Sequence, residues 1–460
     1  MSTPGVCTPG RVDAPVHVLE QAARFAVAFR SRPIDAPLLR HAKRALIDWH
    51  SALLPGAVLP PATLLERALA DELDRGGARL ALGRPAGARV AALINGSAAH
   101  TAEVDDIFRD AIYHPGAPTI AAALALAQAR GQSGAALLRA VIVGYEISTR
   151  IGATMGRAHY AYWHNTGTIG CFGAAAAAAE LLELDEPRFA HALATVATFA
   201  AALQQAFRSD SMSKPLHAGR AAEAGVTAAL AAAAGVTGAL DVMEGPIGFG
   251  HAMGDGPDWG PCMATLGQVF HIGAMTVKNH ACCGHTFAAI DGALALRSRM
   301  GIQAADIEAI EIGTYGEALH VAGNKAPQTA AEARFSLPYV VATALLHGSV
   351  RLAAFAPVRL ADPLTRELMA RIDLSVDPEL DAAFPGQRAA RVSIRTRDGH
   401  VERLLQPTRK GDPDAPLTDE DLEGKLQELA VPVIGAARAA ALSRKLWTLE
   451  GVPRLDGALA

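Results

Sequence analysis

Apolar residues recur at helical spacing from Val16 to about Gly256. The segments Leu39–Leu53, Ala62–Leu73, Thr119–Ala129, Ala136–Arg150, Gly173–Leu184 and Arg188–Ala206 read as successive helices. Alanine dominates them; it is the best helix former, and small side chains let helices approach closely. Glycines between the segments act as C-terminal stops. Near Gly260 the period changes. Ile307–Thr314 alternates as a strand does, and Ala390–Thr396 and Val401–Gln406 flank Asp398-Gly399, a hairpin signal. Ala333–His347 and Leu364–Arg371 return to helical spacing. Thr418–Asp421 is a capping-box variant ahead of helices over Leu422–Leu429 and Ile434–Leu449. The pattern predicts a mainly α protein with an α+β part: residues 1–268 helical, 269–407 α+β, and a 408–460 tail whose helices pack back on the first part.

Composition narrows the function classes. Of 460 residues half are hydrophobic and 19% charged, so the chain has ample material for a core. A formal net charge of −4 gives no electrostatic reason to expect nucleic acid. Phe189–Phe207 and Ala224–Val242 are long and uncharged, yet alanine is only weakly apolar, so buried helices are expected there rather than membrane spans. The five cysteines, Cys7, Cys171, Cys262, Cys282 and Cys283, are too few and odd in number for a disulfide framework. Met1–Val12 lacks a basic region followed by an apolar core. Together these predict a cytoplasmic protein.

Ionisable chemistry concentrates in four segments. Asn95–Gly116 carries Glu103, Asp105, Asp106, Arg109, Asp110 and His114, closing on the turn His114-Pro115-Gly116; the alternative is a solvated acidic helix end. His159–Gly170 places His164 before a Thr/Gly-rich turn, where a core histidine bonded to backbone is the plainer role. In Arg208–Arg220, Lys214 precedes a proline, and His217 and Arg220 lie one helical turn apart, a cationic set suited to a polycarboxylate. Ser211-Met-Ser-Lys214 also fits the S-x-x-K pattern, but no K-T-G follows. Lys278–Thr286 holds His280, Cys282, Cys283 and His285; adjacent cysteines chelate poorly and no second ligand pair is suitably spaced, so a loop lining a site is preferred to a metal centre. The chain contains no P-loop, no G-x-G-x-x-G after a strand and no H-E-x-x-H, so no nucleotide, nicotinamide or metal cofactor is expected. Histidine, lysine and arginine suffice for proton abstraction beside a carboxylate, with cations stabilising the charge that develops.

The chain resembles the MmgE/PrpD family along nearly its whole length. The landmarks are Asn95-Gly96 with His100, Asp105-Asp106, His114-Pro115, Gly144-Tyr145-Glu146, Lys214-Pro215-Leu216-His217 with Gly219, and the Lys278–His285 loop. Pro327-Gln-Thr with Glu332, Phe335-Ser336-Leu337 with Tyr339, and Lys410-Gly411-Asp412-Pro413 complete the series. The resemblance implies a large helical domain built from both chain ends, a smaller α+β lid domain, an active site in the cleft between them, and a homodimer. It implies an enzyme of small di- or tricarboxylates, without a required metal or organic cofactor: most directly a 2-methylcitrate dehydratase-like lyase, alternatively a cis-aconitate decarboxylase-like or iminodisuccinate epimerase-like enzyme. A carboxylate-binding protein without turnover is the non-enzymatic alternative. The family's catalytic positions fall on His114, His164, Lys214, Tyr339 and His285. Glu103, Asp106, Arg109, His217 and Arg220 are the expected substrate contacts. Glu103 stands where the family pattern has Asp and Ile107 where it has Thr; Ile cannot donate a hydrogen bond to a carboxylate, which alters substrate contacts.

Overall fold

A computed structural model describes residues 16–207, 211–456 and 459. Cys7, the N-terminal reading and Arg208 lie outside the described residues. The protein is mainly α, with one four-stranded and one two-stranded sheet among the described residues. No helix there is long and apolar enough to cross a membrane.

The helical body is built around Ala88–Ala99, Gly116–Arg130, Gly134–Tyr160, Gly170–Leu181 and Ser213–Ala233. Small residues set its spacing. A Cβ on Gly219 would lie 2.1 Å from the Leu93 carbonyl oxygen, and one on Gly96 would lie 2.9 Å from the Gly219 Cα. The Ala88–Ala99 and Ser213–Ala233 helices therefore touch backbone to backbone, which only glycine permits. That contact matters because the second helix carries Lys214 and His217.

The α+β part is a sheet with strand order Ile372–Val376, Ile307–Thr314, Ala390–Thr396, Val401–Gln406. The first pair is parallel and the others antiparallel. Helices Phe287–Met300 and Leu337–His347 supply Phe287, Ile290, Val340 and Leu345 to a core shared with Ile310, Ile312, Val392 and Ile394. Ala102 and Val104, from the body, belong to this second core, so Glu103 sits where the two parts meet.

The tail helix Asp419–Ile434 packs along Ala36–Ala57, and Leu422, Leu426 and Ala430 join the body's core. Fully buried Lys425 donates to Asp48 Oδ1 at 2.5 Å and to the Val104 carbonyl at 2.6 Å. The chain's end is thereby tied to the loop bearing Glu103 and Asp105.

Several boundaries differ from the sequence pattern. The helix expected over Ala62–Leu73 stops at Ala68, and Leu73–Arg79 pairs with Pro85–Ala86 instead. The Arg188–Ala206 helix is Glu186–Ala197; beyond it Ala202 accepts the His164 N–H at 2.9 Å and Leu203 bridges Trp163. Pairing with the His164 segment overrides the helix propensity of that alanine run. Ala224–Val242 is helical only to Ala233, since Gly235 turns left-handed at φ 101°. Ala333–His347 is two helices, Ala330–Arg334 and Leu337–His347, separated where Ser336 caps the second.

Candidate functional site

The site grows from the loop after the Ala88–Ala99 helix. His100 caps that helix at its C-terminus. The loop is then pinned by a two-way backbone bridge between Ile107 and Thr276, and a second between Phe108 and Tyr113. Glu103, at φ 59°, makes a left-handed turn unusual for a side-chain-bearing residue. These constraints fold Asp105 and His114 back onto His100. Asp106 holds the loop from beneath: Oδ1 accepts the Gly116 N–H at 3.0 Å and Oδ2 the Tyr145 hydroxyl at 2.7 Å.

Asp105 Oδ2 takes His100 Nδ1 at 2.7 Å. It also lies 3.2 Å from His114 Nδ1, close enough for an ion pair but not aligned for a hydrogen bond. The His100 ring meets His114 edge-on at 4.8 Å and stacks on His164 at 5.3 Å. His164 Nδ1 lies 3.1 Å from His217 Nδ1. Asp105 Oδ1 and His100 Nε2 are buried without a hydrogen-bond partner. Buried polar atoms without a protein partner call for a reason, and here, among the histidines, a ligand's polar groups supply one.

Beside the histidines stand two lysines. Lys214 Nζ pairs with Glu103 Oε1, and Lys278 Nζ donates to the Glu103 carbonyl at 3.0 Å with Glu103 Oε2 at 3.5 Å.

The charges follow from these contacts. Burial opposes ionisation of Asp105, yet His100 and His114 hold its carboxyl well below the usual range. Burial likewise opposes Glu103, but Lys214 and Lys278 keep it ionised. Burial drives His114 down to about 4 although Asp105 pulls the other way. Burial and neighbouring cations drive His217 to about 4 and His164 well below its ordinary value. Burial, with the Asp48 charge, raises Asp106 to about 7. At neutral pH His114, His164 and His217 are neutral imidazoles, ready to accept a proton, beside two lysines and two carboxylates.

His114, His164, Lys214, Glu103 and His217 thus come together. Other expected residues do not join them. Asp106 has both oxygens engaged beneath the loop. The Tyr339 hydroxyl donates to the Ala354 carbonyl at 2.5 Å inside the α+β core. Ser336 caps the helix at its first turn and fixes Tyr339 in that core. Arg220 pairs on the surface with Glu223, which also takes Arg89. His285 Nδ1 faces the Tyr315 hydroxyl at 2.9 Å. Arg109 lies toward Asp412 and Asp414. Lys278, His100 and Asp105 join the cluster although they are not among the expected site residues; His100, Asp105 and the Lys278 loop figure in the sequence as landmarks of the resemblance. Lys278 opens the cysteine-histidine segment, and its cationic head beside a conspicuous loop was the available signal.

The Lys278–Thr286 side chains do not converge as a metal site would. His280 turns to Asp291 and Cys282 to Thr286. His100, Asp105 and His114 do converge, with ligand atoms within 4.8 Å of one another.

Residues 20–262 match the MmgE/PrpD N-terminal domain and residues 280–449 the MmgE/PrpD C-terminal domain. A cis-aconitate decarboxylase-like protein of Aspergillus oryzae is 27% identical over 94% of this chain and 95% of its own length. The human protein named cis-aconitate decarboxylase is 27% identical over 78% of this chain and 76% of its own. With both domains matched in order, the chain belongs to the MmgE/PrpD family.

Proposed function

We propose that the protein is a lyase acting on a small tricarboxylate by proton transfer at a carbon beside a carboxylate. The observation that carries this is the neutral His114 and His164 pair set against Lys214 and Lys278. A ring nitrogen of His114 or His164 takes the α-proton. The electron pair of that C–H bond moves into the adjacent carboxylate, giving an enediolate that the lysines stabilise. In dehydration, the C–O bond at the neighbouring carbon then breaks and the hydroxide leaves with a proton from the imidazolium, as water. Dehydration of a 2-methylcitrate-like acid is the leading reading, because imidazoles neutral at pH 7 are bases before they are acids.

Decarboxylation of a cis-aconitate-like acid is the second reading, favoured by the names of the relatives. There the C–CO₂⁻ bond breaks, its electron pair shifts through the double bond, and a protonated histidine supplies the proton to the far carbon. Epimerisation, in which the abstracted proton returns to the other face, shares the first step. The test offers EDTA-treated protein 2-methylcitrate, citrate, cis-aconitate and iminodisuccinate, with products followed by NMR. Loss of water supports the first reading and carbon dioxide the second. An inverted centre supports the third, and no turnover of any acid contradicts the proposal.

A further inference from the structure

A cavity of about 360 Å³ opens between the body and the α+β part; Ile112 in its wall is two residues before His114, and no residue of the histidine-lysine cluster lines it. Its body side is Arg109–Ile112 with Gly156 and Arg157, its other side Pro385–Arg388, Pro407–Arg409, Asp412 and Asp414. The Gly134–Tyr160 helix is broken at this wall, where Gly156 takes φ 61° and ψ −156°.

Its arginines are not equivalent. Arg409 gives two hydrogen bonds to Asp412, at 2.8 and 2.9 Å, and one to the Gly284 carbonyl at 3.1 Å. Arg109 is shared between Asp412 at 3.3 Å and Asp414 at 3.5 Å. Arg388 is half-buried, and among the described residues it has neither a hydrogen bond nor a carboxylate at ion-pair distance. Burial, then Arg409, oppose its charge, Tyr315 and Asp412 favour it and Arg109 opposes it; Asp412 is itself already held by two hydrogen bonds from Arg409. The nearby His285 is pushed down to about 4 by burial and by Arg388 and Arg409, so it adds no further positive charge. A half-buried cation facing a cavity without its anion is a poised anion site.

The neighbouring cluster gives a reason for one. Lys214 and Lys278 are both faced by Glu103, so the cluster holds little surplus positive charge for a trianion. The two places share neighbours: the Tyr160 phenol and the Cys283 thiol each feel the charges of both Glu103 and Arg388, and Ile112 of the cavity wall is two residues before His114.

We propose that this cavity is a second carboxylate-binding site, with Arg388 as its cation. The identity of the acid rests on the tricarboxylate reading above. The carboxylate comes either from the far end of the substrate held by the cluster or from a separate carboxylic acid.

Calorimetric titration of the full chain tests this with cis-aconitate, which has three carboxylates, and maleate, which lacks the third. Arg388→Gln leaves no buried partner unpaired, so folding is expected to persist, and circular dichroism checks it. In the wild type, cis-aconitate is expected to bind roughly tenfold to a hundredfold tighter than maleate. Arg388→Gln should bring the two within about threefold by weakening cis-aconitate alone, with Arg388→Lys between. That result places the carboxylate on the substrate. A second, non-competing cis-aconitate event lost only in Arg388→Gln places it on a separate acid. If Arg388→Gln binds both acids as the wild type does, or weakens both equally, the proposal is overturned. If Lys214→Ala binds both acids normally while Arg388→Gln does not, the cluster reading fails and the cavity site stands. If the wild type binds neither acid, both fall.

Discussion

Asp105→Asn removes one charge from the centre of the cluster and almost no volume. In the wild type the carboxylate takes His100 Nδ1 at 2.7 Å and lies 3.2 Å from His114 Nδ1, itself buried. An amide presents either an oxygen or an N–H to each ring, so it cannot favour a protonated imidazole on both. A hydrogen bond to a charged group contributes about 1.5–3 kcal/mol, and each 1.4 kcal/mol is about tenfold in rate, so kcat/KM should fall roughly tenfold to a hundredfold. The pH profile separates this from general damage. Burial lowers His114 to about 4 and Asp105 raises it, so losing Asp105 lowers it further. A reaction that needs neutral His114 then has its acid limb displaced to lower pH while the plateau falls. The assay is steady-state turnover of the substrate identified by the NMR panel, between pH 4 and 8, with folding checked by circular dichroism. A variant within threefold of wild type, with its acid limb unmoved, would refute the role given to Asp105.

Three further outcomes follow from the packing. Lys425→Met strands the buried Asp48 carboxylate and should destabilise the protein by about 3–5 kcal/mol, whereas adding Asp48→Leu should recover most of the loss; urea melts of both variants check this. Gly219→Ala puts a methyl 2.1 Å from the Leu93 carbonyl, so the helices must part. It should cost about 1–3 kcal/mol and lower turnover through displaced Lys214 and His217, read by melting and kinetics together. Finally, His50 and His114 are held near 4 by burial, although the Leu46 carbonyl and Asp105 respectively pull them up. The unfolded chain binds protons on them from about pH 6.5 downward and the folded chain does not, so these two groups should lower stability as pH drops from about 6.5 to 4, while Asp106, raised to about 7, adds stability over the same window. His50→Leu should therefore lose less stability than the wild type across that window, and a variant whose melting temperature falls with pH as the wild type's does contradicts the assignment; Asp105 and Glu103, depressed in the fold, add their loss only below about pH 4.

Regular local chemistry was legible. The Ile307–Thr314 strand, the hairpin at Asp398-Gly399 and the Thr418 capping box appear where the pattern put them, because each rests on contacts within a few residues. The loop from Glu103 to His114 stood out because charge is dense there in a chain poor in charge. Long-range pairing was not legible. Nothing local in Leu73–Arg79, with two glycines and three charged residues, announces a strand; its partner Pro85–Ala86 makes it one. Leu203 leaves the helical run because Trp163 claims its backbone. Tyr339 lies in an expected helical stretch, but the direction of its hydroxyl was set by Ala354, fifteen residues on. Lys278 reached the site because Thr276 pairs with Ile107 and brings the two loops together, a contact between residues far apart in the chain.

The central claim is that the cluster moves a proton on a carbon beside a carboxylate. Proton NMR in D₂O, comparing wild type with His114→Ala and Lys214→Ala on 2-methylcitrate and cis-aconitate, tests it most directly. The account predicts that the wild type exchanges deuterium into carbon positions of substrate or product, and that both variants lose at least about a hundredfold of that rate while remaining folded. Exchange that persists in both variants at near wild-type rate would contradict it.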